Sequence, residues 1–168
     1  APPLVNNKAY GNAWFVETPQ IVENAAEEIS GINRTDLSKF ALIDRKFSEL
    51  LSKPSYPVQP GDTISLVSYE PNRLVYTASS KSGNLAVFSE IYYPAGWKCF
   101  IDGKESDYFR ADYVLRGIIV PEGSHEIEFR FEPSSYINGN RISYASSGIF
   151  ILLIAGYVVM NLRKKKTS

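Results

Sequence analysis

The sequence predicts an α+β chain that is mainly β. It reads as an antiparallel β-sandwich with a small N-terminal strand–helix–strand portion and a C-terminal transmembrane helix. Three observations lead there. Short apolar runs in the second half are separated by turn signals every 8–12 residues or so, as in sandwiches. His125–Glu132 alternates strictly, with Ile127, Phe129 and Phe131 on one face and Glu126, Glu128, Arg130 and Glu132 on the other. That is the pattern of a half-buried antiparallel strand. Finally, Ile142–Leu162 carries no charged residue or histidine and is followed at once by Arg163, Lys164, Lys165 and Lys166.

Taken in order, residues 1–60 give a lead-in and a small α/β portion. Ala1–Asn12 is rich in Pro and Asn and has no periodicity. Ala13–Val16 fits a buried strand, Thr18-Pro19 breaks it, and Gln20–Glu23 resumes it. Asn24 has the chemistry of a helix N-cap, and Asn24-x-x-Glu27 approximates a capping box. Ala25, Ala26, Ile29 and Ile32 would form the apolar stripe, with Gly31 or Asn33 at the end. Phe40–Ile43 is a strand candidate. Lys53–Gly61, with three prolines and a glycine, is the best internal boundary by composition.

Residues 61–133 make the expected sandwich. Strands are predicted at Thr63–Glu70, Arg73–Ser79, Leu85–Tyr93, Trp97–Asp102, Tyr113–Val120 and His125–Glu132. Pro71-Asn72, Lys81–Asn84, Pro94–Gly96, Asp102-Gly103 and Pro121–Gly123 separate them, Asp102-Gly103 being a hairpin dipeptide. The apolar run 142–162 is about as long as the ~20 residues a helix needs to cross a bilayer. A buried core helix would keep a polar stripe, and Gly148–Met160 has none. The basic residues 163–168 then mark a cytoplasmic tail, so the preceding domain is expected on the extracytoplasmic side. With no initiating Met and no signal peptide in the chain, export implies either a leader removed before Ala1 or earlier membrane helices of a longer protein.

Charge and composition exclude several classes. The chain has 18 Lys+Arg against 18 Asp+Glu. Every acidic residue precedes Pro133, while four basic ones follow Leu162, so the part before the tail carries 14 basic and 18 acidic residues, a net −4. A nucleic-acid-binding surface would be basic. The single cysteine, Cys99, allows neither an internal disulfide nor a cysteine metal site, and reads as a core residue. The single histidine, His125, follows a turn with no metal-ligand spacing and reads as a surface or strand residue. No phosphate-binding, dinucleotide-binding, zinc-protease or nucleophile-elbow motif is present. Asp102, Glu105, Asp107 and Asp112 are close enough in sequence to suggest a glycosidase pair, but their segment reads as a solvated hairpin. No catalytic, cofactor-binding or metal-ligating residue is therefore assigned. The strongest binding signal is aromatic: Tyr92, Tyr93 and Trp97 flank the Pro94–Gly96 turn. Such a group either stacks sugar rings or packs between sheets. With Asp102 in the following hairpin turn, these are the candidate ligand-facing residues.

The segments SEIYYPAGWKCFIDGKE (Ser89–Glu105) and YFRADYVLRGIIVPEGSHEIEFRFEP (Tyr108–Pro133) resemble the C-terminal extracytoplasmic region of the YfhO family of bacterial multi-pass membrane proteins. Gly11–Val16 is also similar to a family segment, and Ala95 is an insertion relative to the commoner Pro-Gly turn. The resemblance implies a C-terminal piece of a polytopic, GT-C-like glycosyltransferase that uses polyprenyl-phosphate-linked sugars on cell-envelope polymers. Catalytic residues of such enzymes lie in an earlier loop, so the region is expected to be a non-catalytic accessory domain. Its expected partners are the membrane, the membrane-embedded remainder of the same polypeptide and envelope glycan. The location implied is the bacterial cell membrane, with the domain on its periplasmic or outer side. The alternative is a structural or protein-interaction sandwich without ligand. The same motif is equally explained by turn chemistry, since Gly96 and Gly103 can take positive φ and Trp97 can plug the core.

Overall fold

The computed structural model describes the backbone of residues 9–166, and side chains in that range outside 134–138 and 157–166. The lead-in before Ala9 lies outside the described residues. The chain divides into two units, one ending at Phe131 and one from Glu132 onwards.

The first unit is built on two antiparallel sheets. One has the order β1(Ala13–Val16), β6(Asn84–Ile91), β10(Leu115–Val120), β9(Phe109–Ala111); the other runs β4(Thr63–Glu70), β5(Arg73–Ser80), β11(Gly123–Phe131), β7(Trp97–Ile101), β8(Lys104–Ser106). The fold is thus mainly β and antiparallel, as the alternating patterns require. Tyr76, Phe88 and Phe129 fill the space between the sheets with edge-to-face rings 4.8–6.3 Å apart. Leu74, Ala86, Cys99, Ile118, Val120 and Ile127 join them in the core.

The expected strand–helix–strand portion is present within residues 9–60 and belongs to the first unit. β1 pairs with β6, Phe15 lying opposite Ala86. β2(Thr18–Val22), α1(Ala25–Ile32) and β3(Phe40–Asp44) form a parallel β–α–β unit. Ala41, Ile43 and Tyr56 pack with Leu85, Val87 and Phe109 in a second core. These are the β6 side chains opposite Ala86 and Phe88, so the four-stranded sheet is covered on both faces. That explains why Leu85–Phe88 is an unbroken apolar run, fully buried at every position. The Lys53–Gly61 loop, expected as a boundary, instead inserts Tyr56: its N–H donates to the Glu17 carbonyl at 2.7 Å, and its hydroxyl accepts from Lys53 N–H at 3.1 Å. Pro19, expected to break a strand, sits inside β2. It is tolerated because β2 lies at the edge of its sheet.

α1 begins as expected. Asn24 Oδ1 accepts from Ala26 N–H and Glu27 N–H at 3.0 and 3.1 Å. Glu27 reaches back to the N–H of Glu23 rather than of the cap residue. The predicted apolar stripe is only half right: Ala26 and Ile29 are exposed, Ala25 and Ile32 are partly buried, and Glu28 is fully buried. An ion pair with Arg110 places it there. Asp102 and Gly103 both take positive φ, 50° and 77°, as a two-residue hairpin turn demands. Gly96 does not. A Cβ there would lie 2.4 Å from Phe131 Cε2, so its missing side chain serves close packing rather than backbone freedom.

The second unit contains α2(Ser134–Lys166). Among the described residues no helix is long and apolar enough to cross a membrane. The expected span Ile142–Leu162 runs beyond Gly156, past which the side chains are outside the described set, as is the basic tail.

Candidate binding cleft

Where β6 ends and β7 begins, the chain turns through Tyr92–Gly96, and the β7–β8 hairpin folds back beside it. The register Cys99↔Ser106 and Phe100↔Glu105 brings the hairpin's two arms together. The resulting cleft, about 490 Å³, has Tyr92, Trp97 and Tyr108 as aromatic walls and Lys98, Glu105 and Asp107 as its charged groups. The Tyr92 and Tyr108 rings lie 5.3 Å apart, and Phe47 backs Tyr92 at 5.7 Å. The Tyr108 hydroxyl donates to the carbonyl of Trp97 at 3.0 Å, and the Tyr93 carbonyl is 3.3 Å away. Burial pushes the Tyr108 phenol up to about 12, so it stays a neutral donor. Lys98 Nζ and Glu105 Oε2 pair across the hairpin at 3.3 Å, at the exposed surface.

Behind Trp97 lies the most unusual core residue. Arg116 is 2% exposed, and its guanidinium stacks 4.3 Å from the Trp97 ring and 4.9 Å from Phe129. Its Nε donates to the Ile91 carbonyl at 3.0 Å. Burial disfavours its charge, and Glu90 sustains it. Trp97 thus has one face on a buried cation and its edge near Phe131, 5.4 Å between centroids.

Of the four sequence candidates, Tyr92 and Trp97 line the cleft. Tyr93 is exposed and contributes its carbonyl, but its side chain is not part of the wall. Asp102 lies at the far tip of the hairpin, outside the cleft. Its carboxylate accepts from Glu126 N–H at 2.9 Å and meets His125 Nδ1 at 2.6 Å. The other ring nitrogen, Nε2, faces the Glu122 carbonyl at 3.1 Å. Both neighbours are acceptors, so imidazolium fits best, and the Asp102 hydrogen bond raises the His125 pKa. Asp102 therefore locks the turn and is not part of the cleft wall. Tyr108 and Asp107 were missed because their segment reads as a plain solvated hairpin. Only the Asp102-Gly103 turn hinted that it folds back on Trp97.

A second polar constellation was not foreseen. Asp112, expected on the solvated hairpin, is 3% exposed. Arg110 Nη2 donates to Glu28 Oε2 at 2.7 Å and to Asp44 Oδ2 at 3.1 Å. Tyr113 N–H donates to Glu28 Oε1 at 2.9 Å, and Leu42 N–H to Asp112 Oδ1 at 2.8 Å. Asp112 Oδ2 is buried with no hydrogen-bond partner. Burial, opposed by the Leu42 bond and reinforced by Glu28, pushes Asp112 up to about 7. Among the described residues no group of three or more His, Cys, Asp or Glu could hold a metal ion. Cys99 is 1% exposed, and burial pushes its thiol up to about 12, which suits a core residue rather than a nucleophile.

The chain matches no family model, no curated protein and no solved structure at a significant level.

Proposed function

We propose that this chain is a non-catalytic extracytoplasmic accessory domain of a bacterial polytopic membrane protein that resembles a cell-envelope glycosyltransferase, and that it contacts envelope glycan through the Tyr92–Trp97–Tyr108 cleft. The observation that carries the reading is the cleft itself. Aromatic walls suit the apolar C–H faces of sugar rings, while Lys98, Glu105 and Asp107 offer hydrogen bonds to hydroxyls. Membrane attachment is supported by α2. Its consecutive residues Ile149, Phe150, Ile151, Leu152, Leu153 and Ile154 are all 49–73% exposed. Successive helix positions are about 100° apart, so these six cover every face. A helix apolar all round needs lipid or protein around it, and the basic tail of the sequence would then lie on the cytoplasmic side.

Calorimetric titration of the full chain in detergent with envelope polysaccharides tests the cleft. Wild type should bind and Tyr92→Leu should bind more weakly, by up to about tenfold, one lost stacking contact being worth roughly 0.5–1.5 kcal/mol. Equal binding by the two would remove the cleft from the reading. Alkaline carbonate extraction of cell membranes tests the anchor: the chain should stay in the pellet, and release into the wash would contradict a spanning α2.

The second reading is a structural or protein-interaction sandwich without ligand. It is favoured by Trp97, whose ring is packed on Arg116 and against Phe131. On that reading Trp97→Leu unfolds the domain and no glycan binds the wild type.

A further inference from the structure

The buried acidic group and the cleft share a wall. Asp112 and Tyr113 begin the turn between β9 and β10, both at positive φ, 49° and 72°, a conformation that strains a tyrosine. Two anchors hold the turn there. Asp112 exchanges bonds with Leu42, its N–H donating to the Leu42 carbonyl and its Oδ1 accepting from the Leu42 N–H, each at 2.8 Å. Tyr113 N–H is held by Glu28. The next residue, Val114, accepts from Tyr92 N–H at 2.7 Å. The turn therefore fixes the backbone of the cleft's first aromatic wall. A second route runs through Asp44, which accepts from Lys46 N–H at 3.1 Å to open the 3₁₀ turn Arg45–Leu50. Phe47 of that turn backs the Tyr92 ring.

We propose that a proton on Asp112 holds this turn closed and so sets the position of Tyr92 in the cleft. Four elements present the charged groups that decide it: Glu28 from α1, Asp44 from the end of β3, Arg110 from β9, and Asp112 itself. Arg110 hydrogen-bonds to Glu28 and Asp44, not to Asp112, and Lys46 Nζ, from the following 3₁₀ turn, pairs with Asp44 at 3.8 Å and likewise leaves Asp112 without a cation of its own. Asp112 has one oxygen on Leu42 and the other facing no donor. As a neutral acid its hydroxyl still lacks a partner, but no charge is buried. As a carboxylate it is buried, half-satisfied and close to Glu28, and the relief available is for the strained turn to let go. Its raised pKa, near neutrality, puts this exchange in an accessible range. Below that point the turn is latched; above it Val114 releases and Tyr92 is freed. If the cleft binds glycan as proposed above, binding then weakens as pH rises, by up to about tenfold for one unit of difference between latched and released states.

Amide NMR of the full chain in detergent micelles, from pH about 5.5 to 8.5, tests the latch without any ligand. Leu42, Val114 and Tyr92 amides should shift together with one midpoint. Asp112→Asn mimics the neutral acid and tolerates positive φ, so it should hold Tyr92 at its low-pH position throughout. His125→Gln removes the other group that titrates nearby in pH, and the Tyr92 transition should persist. The proposal is overturned if Leu42 titrates while Tyr92 does not, if Tyr92 titrates unchanged in Asp112→Asn, or if its transition vanishes in His125→Gln. The first of these needs no variant to fold. Coupled amides without glycan binding would keep the latch and refute only the binding role.

Discussion

Gly117 offers a sharp test of how tightly the doubly covered sheet is packed. It lies in β10 between Val87 and Phe109. A Cβ added there would stand 2.4 Å from Phe109 Cε2, 2.9 Å from Cδ2 and 3.1 Å from Cζ. Carbon atoms rest at about 3.5–4.0 Å, so more than roughly 1 Å must be found. Phe109 is 1% exposed, packed among Val16, Ala41, Ile43 and Tyr56, and cannot swing into solvent. Overpacking of this kind costs about 1–3 kcal/mol. The loss of glycine freedom in the unfolded chain returns about 0.4–1 kcal/mol. A net loss of up to about 2.6 kcal/mol follows, or up to roughly 10 °C in Tm for a domain of this size. Gly96 supplies the control. Its Cβ would also lie 2.4 Å from a ring carbon, of Phe131, but that ring is 38% exposed at the end of β11 and has room to move. Differential scanning calorimetry should therefore show Gly117→Ala clearly less stable than Gly96→Ala, and Phe109→Leu should recover part of the Gly117→Ala loss in a double-mutant cycle. Equal stability of the two alanine variants, with no coupling to Phe109, would refute the packing argument.

Glu28→Gln leaves Arg110 short of its most buried partner, and chemical denaturation should show a loss of about 3 kcal/mol. His125 has its pKa raised in the folded state, so its contribution is complete below its ordinary 6.5 and fades as pH climbs through the raised value. The Tm gap between wild type and His125→Gln should be widest in mild acid and close at alkaline pH; a gap that widens instead would count against the Asp102 lock. Glu128 is buried between Arg130 and Arg73, and the Arg130 hydrogen bond chiefly holds it down to about 2 from 4.5. Its contribution is present above 4.5 and lost as pH falls towards 2, so acid titration of Glu128→Gln should converge on wild type in that window.

The longer sandwich strands were legible because each buries one face and shows period two, or, like β6, buries both and shows none, whereas the three-residue β8 and β9 are too short to show a period and were not predicted. The hairpin at Asp102-Gly103 was legible from turn chemistry. The N-terminal layer was harder. Ala13–Val16 reads as a strand, but nothing local says that it pairs with Phe88–Leu85, far along the chain. The Pro-rich loop hid Tyr56 because composition reports on turns and not on one anchored ring. Glu28 and Asp112 defeated pattern reading outright: acidic residues in polar surroundings look solvated until a distant partner meets them, Arg110 for Glu28 and the Leu42 backbone for Asp112. Two of the three aromatic candidates reached the cleft, and again distant pairing decided which. Tyr92 and Trp97 flank the turn on the side where the hairpin returns, and no local pattern could show that Tyr108 would close it.

The measurement that bears most directly on the cleft is already built into the chain as two indoles. Trp97 lines the cleft, whereas Trp14 donates to the Leu37 carbonyl at 3.0 Å in the N-terminal layer. In nitrogen-15 NMR of the full chain titrated with envelope glycan, the Trp97 indole and the amides of Lys98 and Glu105–Tyr108 should shift in a saturable way while the Trp14 indole stays fixed. Saturable shifts at neither indole, or equal shifts at both, would contradict a glycan site between Tyr92, Trp97 and Tyr108.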